Sequence, residues 1–260
     1  MKNIRKILAL VLALGMILVL AACKSGTDTA APEEAAADSN TLIMATSADF
    51  PPYEFMENND FAGVDIEIAK AIANKIGMTL DIQNVNFDAI IAGVATGKYQ
   101  MGMSGITATD ERRESVDFSD SYTTAVQAIV VKSDSGLTSL DDIMAIENYK
   151  IGVQLSTTGD IYVTDDCGVE HVTEYKTGAD AIQALATDKV NAVVIDNEPA
   201  KNFVAANEGL TILASPYVQE EYAIALNKDN TELNNKINTA LQELIADGTV
   251  QSILDKYITA

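Results

Sequence analysis

The residues with the most chemical potential lie between Met101 and Asp120, MGMSGITATDERRESVDFSD. Ser104, Gly105, Thr107 and Thr109 precede Arg112, so the segment reads as a strand end, a hydroxyl-rich turn and a helix start. A planar guanidinium binds both oxygens of a carboxylate side by side, while hydroxyls and backbone N–H groups fill the remaining lone pairs. A solvated helix start, with Arg112 paired to an acidic neighbour, fits the same stretch equally well. Complementary chemistry stands far along the chain, where Asn191 to Ile195 reads as a buried strand ending in Asp196-Asn197. Asp196 can hold an ammonium at the strand's carboxyl end, or cap a helix starting near Glu198 and Pro199. Between them, Gln154-Leu-Ser-Thr-Thr-Gly159 leads into a helix whose first N–H groups suit an anion. One half thus supplies an arginine and the other an aspartate, the two poles an α-amino acid needs, on lobes that would close when both are engaged.

The elements that must position these groups alternate along the chain. Leu42-Ile43-Met44-Ala45 is an apolar run of buried-strand type, stopped by Ser47-Ala-Asp-Phe-Pro-Pro-Tyr-Glu-Phe. Phe50, Tyr53 and Phe55 crowd that turn, where they suit a cleft lining or a core plug equally. From Asp65, the residues Ile66, Ala69, Ile72, Ala73 and Ile76 recur at helical spacing, with Gly77 as C-cap. A strand at Thr79 to Gln83, an amphipathic helix at Phe87 to Thr96 and the strand ending at Met101 follow, the pattern of a parallel sheet with helices on its faces. Ser47, Phe50 and the Ser104 turn then fall outside the carboxyl ends of strands, where such sheets bind ligands. Strands at Ala128 to Lys132 and Tyr149 to Val153, and a helix over Thr177 to Asp188, repeat the grammar. Tyr222 to Leu226 is a further strand, and helices over Glu232 to Ala246 and Val250 to Tyr257 are expected to recross and pack on the first lobe.

Residues 1–22 combine a basic head (Lys2, Arg5, Lys6), a short apolar run and Leu20-Ala21-Ala22 before Cys23. The run is too short for a membrane span and reads as an export signal. Its removal makes a chain already at −21 more acidic by three charges, which argues against nucleic acid or anionic lipid as a partner. Residues 23–40 lack large apolar side chains after Cys23 and read as a disordered tether. Asp165, Asp166, Cys167 and His171 lie close in sequence, but Gly168-Val169 between them favours a surface turn, and neither metal nor cofactor is expected. His171, the single histidine, falls in a strand expected to be peripheral, which argues against acid–base catalysis.

Several motifs in order resemble one family, the solute-binding proteins of bacterial amino-acid ABC transporters, family 3. They are Gly-Val-Asp-Ile-Glu-Ile from Gly63, Phe-Asp-Ala-Ile-Ile from Phe87, Thr-x-x-Arg from Thr109, Asp-Phe-Ser from Asp117, Gly-Val-Gln-Leu-Ser-Thr-Thr-Gly from Gly152, Asp196, and Ala-Asp-Gly-Thr near the end. Leu-Ala-Ala-Cys is similar to a bacterial lipobox, implying cleavage before Cys23 and lipidation of its thiol. The resemblance implies an α/β two-lobe Venus flytrap, a type II periplasmic-binding-protein fold. Each lobe is a mostly parallel sheet flanked by helices, residues 41–131 with 222–260 forming lobe 1 and 132–221 lobe 2, joined by two hinge strands. Carried over by position, Arg112 grips the α-carboxylate with Thr107 and backbone groups around Thr157 and Thr158. Asp196 takes the α-ammonium with Ser104 or Gly105 carbonyls, and Phe50 and Phe87 clamp the ligand side chain. Ser47 stands where members reading a basic or amide side chain often carry aspartate, and Gln154 and Ile195 replace a lysine and a histidine that read an amide. The implied ligand is therefore a neutral, polar or medium-sized L-amino acid. The resemblance further implies a monomer, lipid-anchored to the outer face of the cell membrane, that serves an ABC transporter permease. A dehydratase-like enzyme of the same fold, or a ligand-binding partner of a sensor, is the alternative.

Overall fold

Apolar runs and amphipathic helices alternate as expected, and the computed structural model, which describes residues 40–258, assembles the strands into one nine-stranded sheet beside a small three-stranded one. The export signal, Cys23 and the tether lie outside the described residues.

The chain opens with β1 (Thr41–Thr46) and then forms an antiparallel ribbon of β2 (Asp49–Phe50), β3 (Glu54–Glu57) and β4 (Asp60–Ala62). The ribbon replaces the turn expected after β1; its strands are too short, and too close to Pro51 and Pro52, to show in the pattern. Next come α1 (Val64–Ile76) and β5 (Thr79–Asn84). A 3₁₀ turn (Phe87–Ala89) runs into α2 (Ile90–Ala95), where a single amphipathic helix was expected. After β6 (Met101–Gly102) and α3 (Asp110–Ser115), β7 runs unbroken from Asp117 to Lys132. The second half contributes α4 (Leu140–Met144), β8 (Ile151–Gln154), α5 (Thr158–Cys167), β9 (Val172–Tyr175), α6 (Gly178–Ala186), β10 (Ala192–Asp196), α7 (Asn197–Ala206) and β11 (Leu210–Ile212). Finally β12 (Val218–Leu226) leads to α8 (Thr231–Ala246) and α9 (Thr249–Tyr257).

The sheet order is β5-β1-β6-β12-β7-β10-β8-β9, with β11 on the far end of β7. On one side β1 is parallel to β5 and β6; on the other β8 is parallel to β9 and β10. Between these two parallel sets lie β7 and β12, antiparallel to each other and shared by both lobes. Only the apolar C-terminal third of β7 was legible, because DFSDSYTTA lacks both an apolar run and strict alternation. Its ladder with β12 shifts register at Tyr222/Ala223 and again at Ala223/Ala225, which breaks the two-residue period.

Buried apolar side chains of α1 (Val64, Ile68, Ala69, Ile72) pack under the first parallel set with Leu42 and Met44. The helix starts where it does because of Gly63, whose φ of +120° and missing Cβ let it pass the Tyr53 carbonyl; a Cβ there would lie 2.2 Å from that oxygen. At the other end Gly77 adopts φ +73° and its N–H bonds the last carbonyls, as a C-cap. The C-terminal helices return to α1: Tyr257 Oη donates to Glu67 Oε1 at 2.7 Å, and the Tyr257 ring meets Phe55 edge-on at 6.3 Å. The second parallel set has its own core of Val131, Ile143, Ile151, Val153, Val163 and Val194.

Candidate functional site

Arg112 takes its place from α3. Thr109 caps that helix, its Oγ1 accepting the Arg112 backbone N–H at 3.2 Å, and the turn aims the buried side chain into the cleft. The guanidinium stacks over Phe87 at 5.5 Å and donates from Nη1 to the Thr107 carbonyl (2.8 Å) and from Nη2 to the Ser156 carbonyl (2.9 Å). Thr107 thus meets Arg112 through its backbone, and it is the one candidate that does not line the cavity. Arg113 points away, over Phe118 at 5.2 Å.

The cavity, partly open to solvent, comprises about 320 Å³ of space between the atoms. The first lobe lines it with Ser47, Phe50, Phe87, Ser104, Gly105 and Arg112, the second with Gln154, Thr157, Thr158 and Asp196. Two further residues on its wall, Asp49 and Glu54, were passed over in the sequence, hidden within the aromatic turn. That turn has both expected uses: Phe50 faces the cavity, whereas Tyr53 is buried, stacked on Phe50 at 6.2 Å and edge-on to Tyr222 at 5.0 Å.

Each wall is tied down by buried and half-buried hydrogen bonds. Ser104 Oγ accepts the Ser47 N–H (3.0 Å) and donates to Glu54 Oε1 (2.8 Å). Ser47 Oγ donates to Asp49 Oδ1 at 3.0 Å. The Gly105 N–H and the Tyr122 hydroxyl donate to the two oxygens of Asp65, at 2.9 and 2.8 Å. On the facing wall Thr157 caps α5 by accepting the Asp160 N–H at 3.3 Å, while its own hydroxyl donates to the Gln154 carbonyl at 2.7 Å. That leaves the first turn of α5 presented at the cavity, a positive dipole end. Asp196 occupies the N-cap position of α7 without capping it through its side chain. Its carboxylate instead accepts from Gln127 Nε2 at 2.8 Å and from the Tyr222 hydroxyl.

Burial dominates the electrostatics. It pushes the Asp196 carboxyl up to about 7, opposed by the Tyr222 hydrogen bond. Asp65 is raised by burial to about 6. Glu54, fully buried beside it, lies well above the usual carboxylate range, because of burial and then of Asp65's charge. Burial likewise raises Asp49, and Asp180 of α6 adds to that from across the cleft. Burial lowers Arg112, and Glu220 is the largest charge acting to restore it. The cavity wall thus carries three acidic side chains, Asp49, Glu54 and Asp196, against one guanidinium.

Among the described residues no cluster of histidine, cysteine and carboxylate side chains is arranged to hold a metal ion. His171 ends a 3₁₀ turn ahead of β9, not within a strand; its ring stacks on Tyr149 at 3.8 Å and Nδ1 lies 3.0 Å from the Tyr149 carbonyl.

Residues 42–260 match the model of the bacterial extracellular solute-binding proteins, family 3. The arginine-binding extracellular protein ArtP of Bacillus subtilis (strain 168) is 34% identical over 257 residues, 94% of this chain and 97% of its own. A mutant of ArgBP from T. maritima is similar in structure, with a TM-score of 0.79 and 37% identity over 85% of this chain and 96% of that one. An ancestral arginine-binding protein bound to glutamine gives a TM-score of 0.79 and 39% identity, over 85% of this chain and 99% of its own.

Proposed function

We propose, since this chain belongs to the bacterial extracellular solute-binding proteins of family 3, that its cleft captures an L-amino acid with a cationic side chain, of the arginine class, for an ABC transporter permease. The observation that carries this reading is the charge of the cavity wall. A zwitterion's carboxylate and ammonium match Arg112 and Asp196, which leaves Asp49 and Glu54 on the wall of the first lobe. A buried carboxylate such as Glu54 and a half-buried one such as Asp49 are unfavourable as charges without a counter-charge, and a guanidinium or ammonium between them relieves both that cost and the repulsion of Asp49 by Asp180. Relatives point the same way, because ArtP is an arginine-binding protein by name and a mutant of ArgBP from T. maritima is arginine-bound.

In this reading Arg112, the Thr157–Thr158 turn and the α5 dipole hold the α-carboxylate. Asp196 holds the ammonium, and Phe50 and Phe87 enclose the aliphatic stem of the side chain. The neutral ligand implied by Ser47 is the second reading. What favours it is that Gln154 lines the cavity and that a similar ancestral protein was obtained with glutamine. The Ser47 hydroxyl is, however, bound to Asp49, so the same strand end still brings a carboxylate to the wall two residues later. The reading further includes export, lipidation at Cys23, a tether holding a monomer at the outer face of the membrane, and binding without turnover.

Calorimetric titration of the purified protein with L-arginine, L-lysine, L-histidine, L-glutamine and L-cystine tests it. Arginine or lysine should bind at micromolar concentration or tighter, at least tenfold better than glutamine, a difference of roughly 1.4 kcal/mol. Preference for glutamine would support the second reading, and consumption of any bound amino acid would point to an enzyme.

A further inference from the structure

The two strands shared by both lobes carry a buried polar pair that lies outside the lining of the cavity. Gln127 of β7 places Nε2 at 2.8 Å from Asp196 Oδ2 and 2.9 Å from Glu220 Oε2, with Thr158 Oγ1 at 3.5 Å. An amide nitrogen has two hydrogens, so the two carboxylates take both. They also fix its orientation, because turning the amide over would aim its carbonyl at two acidic groups. Glu220 of β12 is 5% exposed and accepts two more bonds, from the Thr158 hydroxyl (3.0 Å) and the Tyr162 hydroxyl (2.9 Å), both on α5. A single carboxylate thereby holds the first turn of α5 directly and Asp196 through one amide.

We propose that Glu220 and Gln127 are positioning residues for the bound amino acid. From two neighbouring strands they set the Asp196 carboxylate and the N-terminal turn of α5 at a fixed spacing, that of an ammonium and a carboxylate on one carbon. This rests on the amino-acid reading of the cleft but on neither choice of side chain. The arrangement has an electrostatic signature. Asp196 is faced by Tyr222 and Glu220 from β12, Tyr53 from the β2–β3 turn, Tyr162 from α5 and Arg112 from α3. Among the effects of these neighbours on Asp196, the Glu220 charge raises its pKa while the hydrogen bond from Gln127 lowers it. Removing the two residues should therefore move the titration of Asp196 in opposite directions, which loss of packing would not do.

The experiment is titration of L-arginine, or of L-glutamine if arginine does not bind, into wild-type protein, Glu220→Gln and Gln127→Met, from about pH 5 to about pH 9. Each variant should bind about tenfold more weakly at the alkaline end, the order expected for loss of a charged hydrogen bond. The bend at which affinity falls off towards acid should move to lower pH in Glu220→Gln and to higher pH in Gln127→Met. Unmoved bends, or bends that move together, overturn the inference while leaving the cleft's function intact. If the wild type binds no amino acid, the reading of the cleft falls and the inference with it. Circular dichroism verifies folding, and if Glu220→Gln does not fold, the upward shift in Gln127→Met decides alone.

Discussion

The guanidinium of Arg112 reaches the carbonyl of Ser156 at 2.9 Å, so an arginine of one lobe is bonded to the backbone of the other across the mouth of the cavity. Ser156 adopts φ +65°, a conformation that side-chain-bearing residues seldom take, in the turn ahead of α5. Arg112 therefore has two contacts besides the cavity it faces, one to a carbonyl of each lobe.

Arg112→Ala should weaken amino-acid binding at least thirtyfold, from the roughly 2–5 kcal/mol that accompanies loss of one partner of a buried charge pair. Arg113→Ala, which gives up only contact with Phe118, should bind like the wild type. Calorimetry on the two variants makes the comparison, and equal effects would remove Arg112 from the site. Arg112→Lys should recover little, because an ammonium cannot donate side by side to a carboxylate while also bonding two carbonyls.

The cationic reading predicts a change of preference. Glu54→Gln keeps an acceptor for Ser104, and Asp49→Asn one for Ser47, while each removes a carboxylate that a cationic ligand would hold ionised. Arginine affinity should fall about tenfold or more in each, whereas glutamine affinity should hold or improve. Competition between the two ligands on each variant reads this directly, and parallel losses would count against a charge-reading role.

Ligand-free stability should decline as pH rises from about 4 to about 7. Asp196 and Asp65 titrate near 7 and 6 in the fold, and Glu54 well above its ordinary value, so in that window the folded chain binds protons that the unfolded chain has released. With more protons bound in the native state, the slope of unfolding free energy against pH is negative. Glu67, Asp142, Glu232 and Asp247 are shifted the other way but lie at the surface, where screening weakens their effect. Urea midpoints without ligand should be higher near pH 5 than near pH 8. Ligand binding near neutrality should release protons, seen as a dependence of the calorimetric heat on buffer ionisation enthalpy.

Two glycines separate backbone freedom from close approach. Gly63→Ala puts a methyl carbon 2.2 Å from the Tyr53 carbonyl at a φ of +120°, and should cost upwards of about 3 kcal/mol. Gly77→Ala meets nothing within 4 Å at φ +73°, and should cost about 1 kcal/mol. Thermal midpoints of the two variants test the ranking.

Most of the cavity wall was legible because its residues follow strand ends and precede helices, where Ser47, Ser104, Thr157 and Asp196 stand out as polar breaks after apolar runs. Glu54 was not, since a lone acid between Tyr53 and Phe55 looks like a surface residue of a turn. Gln127 and Glu220 were hidden for a related reason. Each sits in a polar stretch of a long strand, and burial of a polar side chain leaves no trace in a hydropathy pattern when its partners come from residues 31 to 93 positions away. Thr107, expected to assist Arg112 at a carboxylate, meets Arg112 itself through its carbonyl, a backbone contact that no side-chain pattern announces.

Finally, β7 and β12 make the connection between the lobes a hydrogen-bonded plank rather than a pair of loose straps. A plank resists bending except where it is notched, and the notches here are the register shifts flanking Ala223. Tyr222, whose hydroxyl holds Asp196, sits beside the first of them. Flexure there would tilt the phenol and swing the aspartate as if on a short crank, so amides around Thr123 and Ala223 should exchange with deuterium faster than the rest of the ladder, and slow when an amino acid is bound.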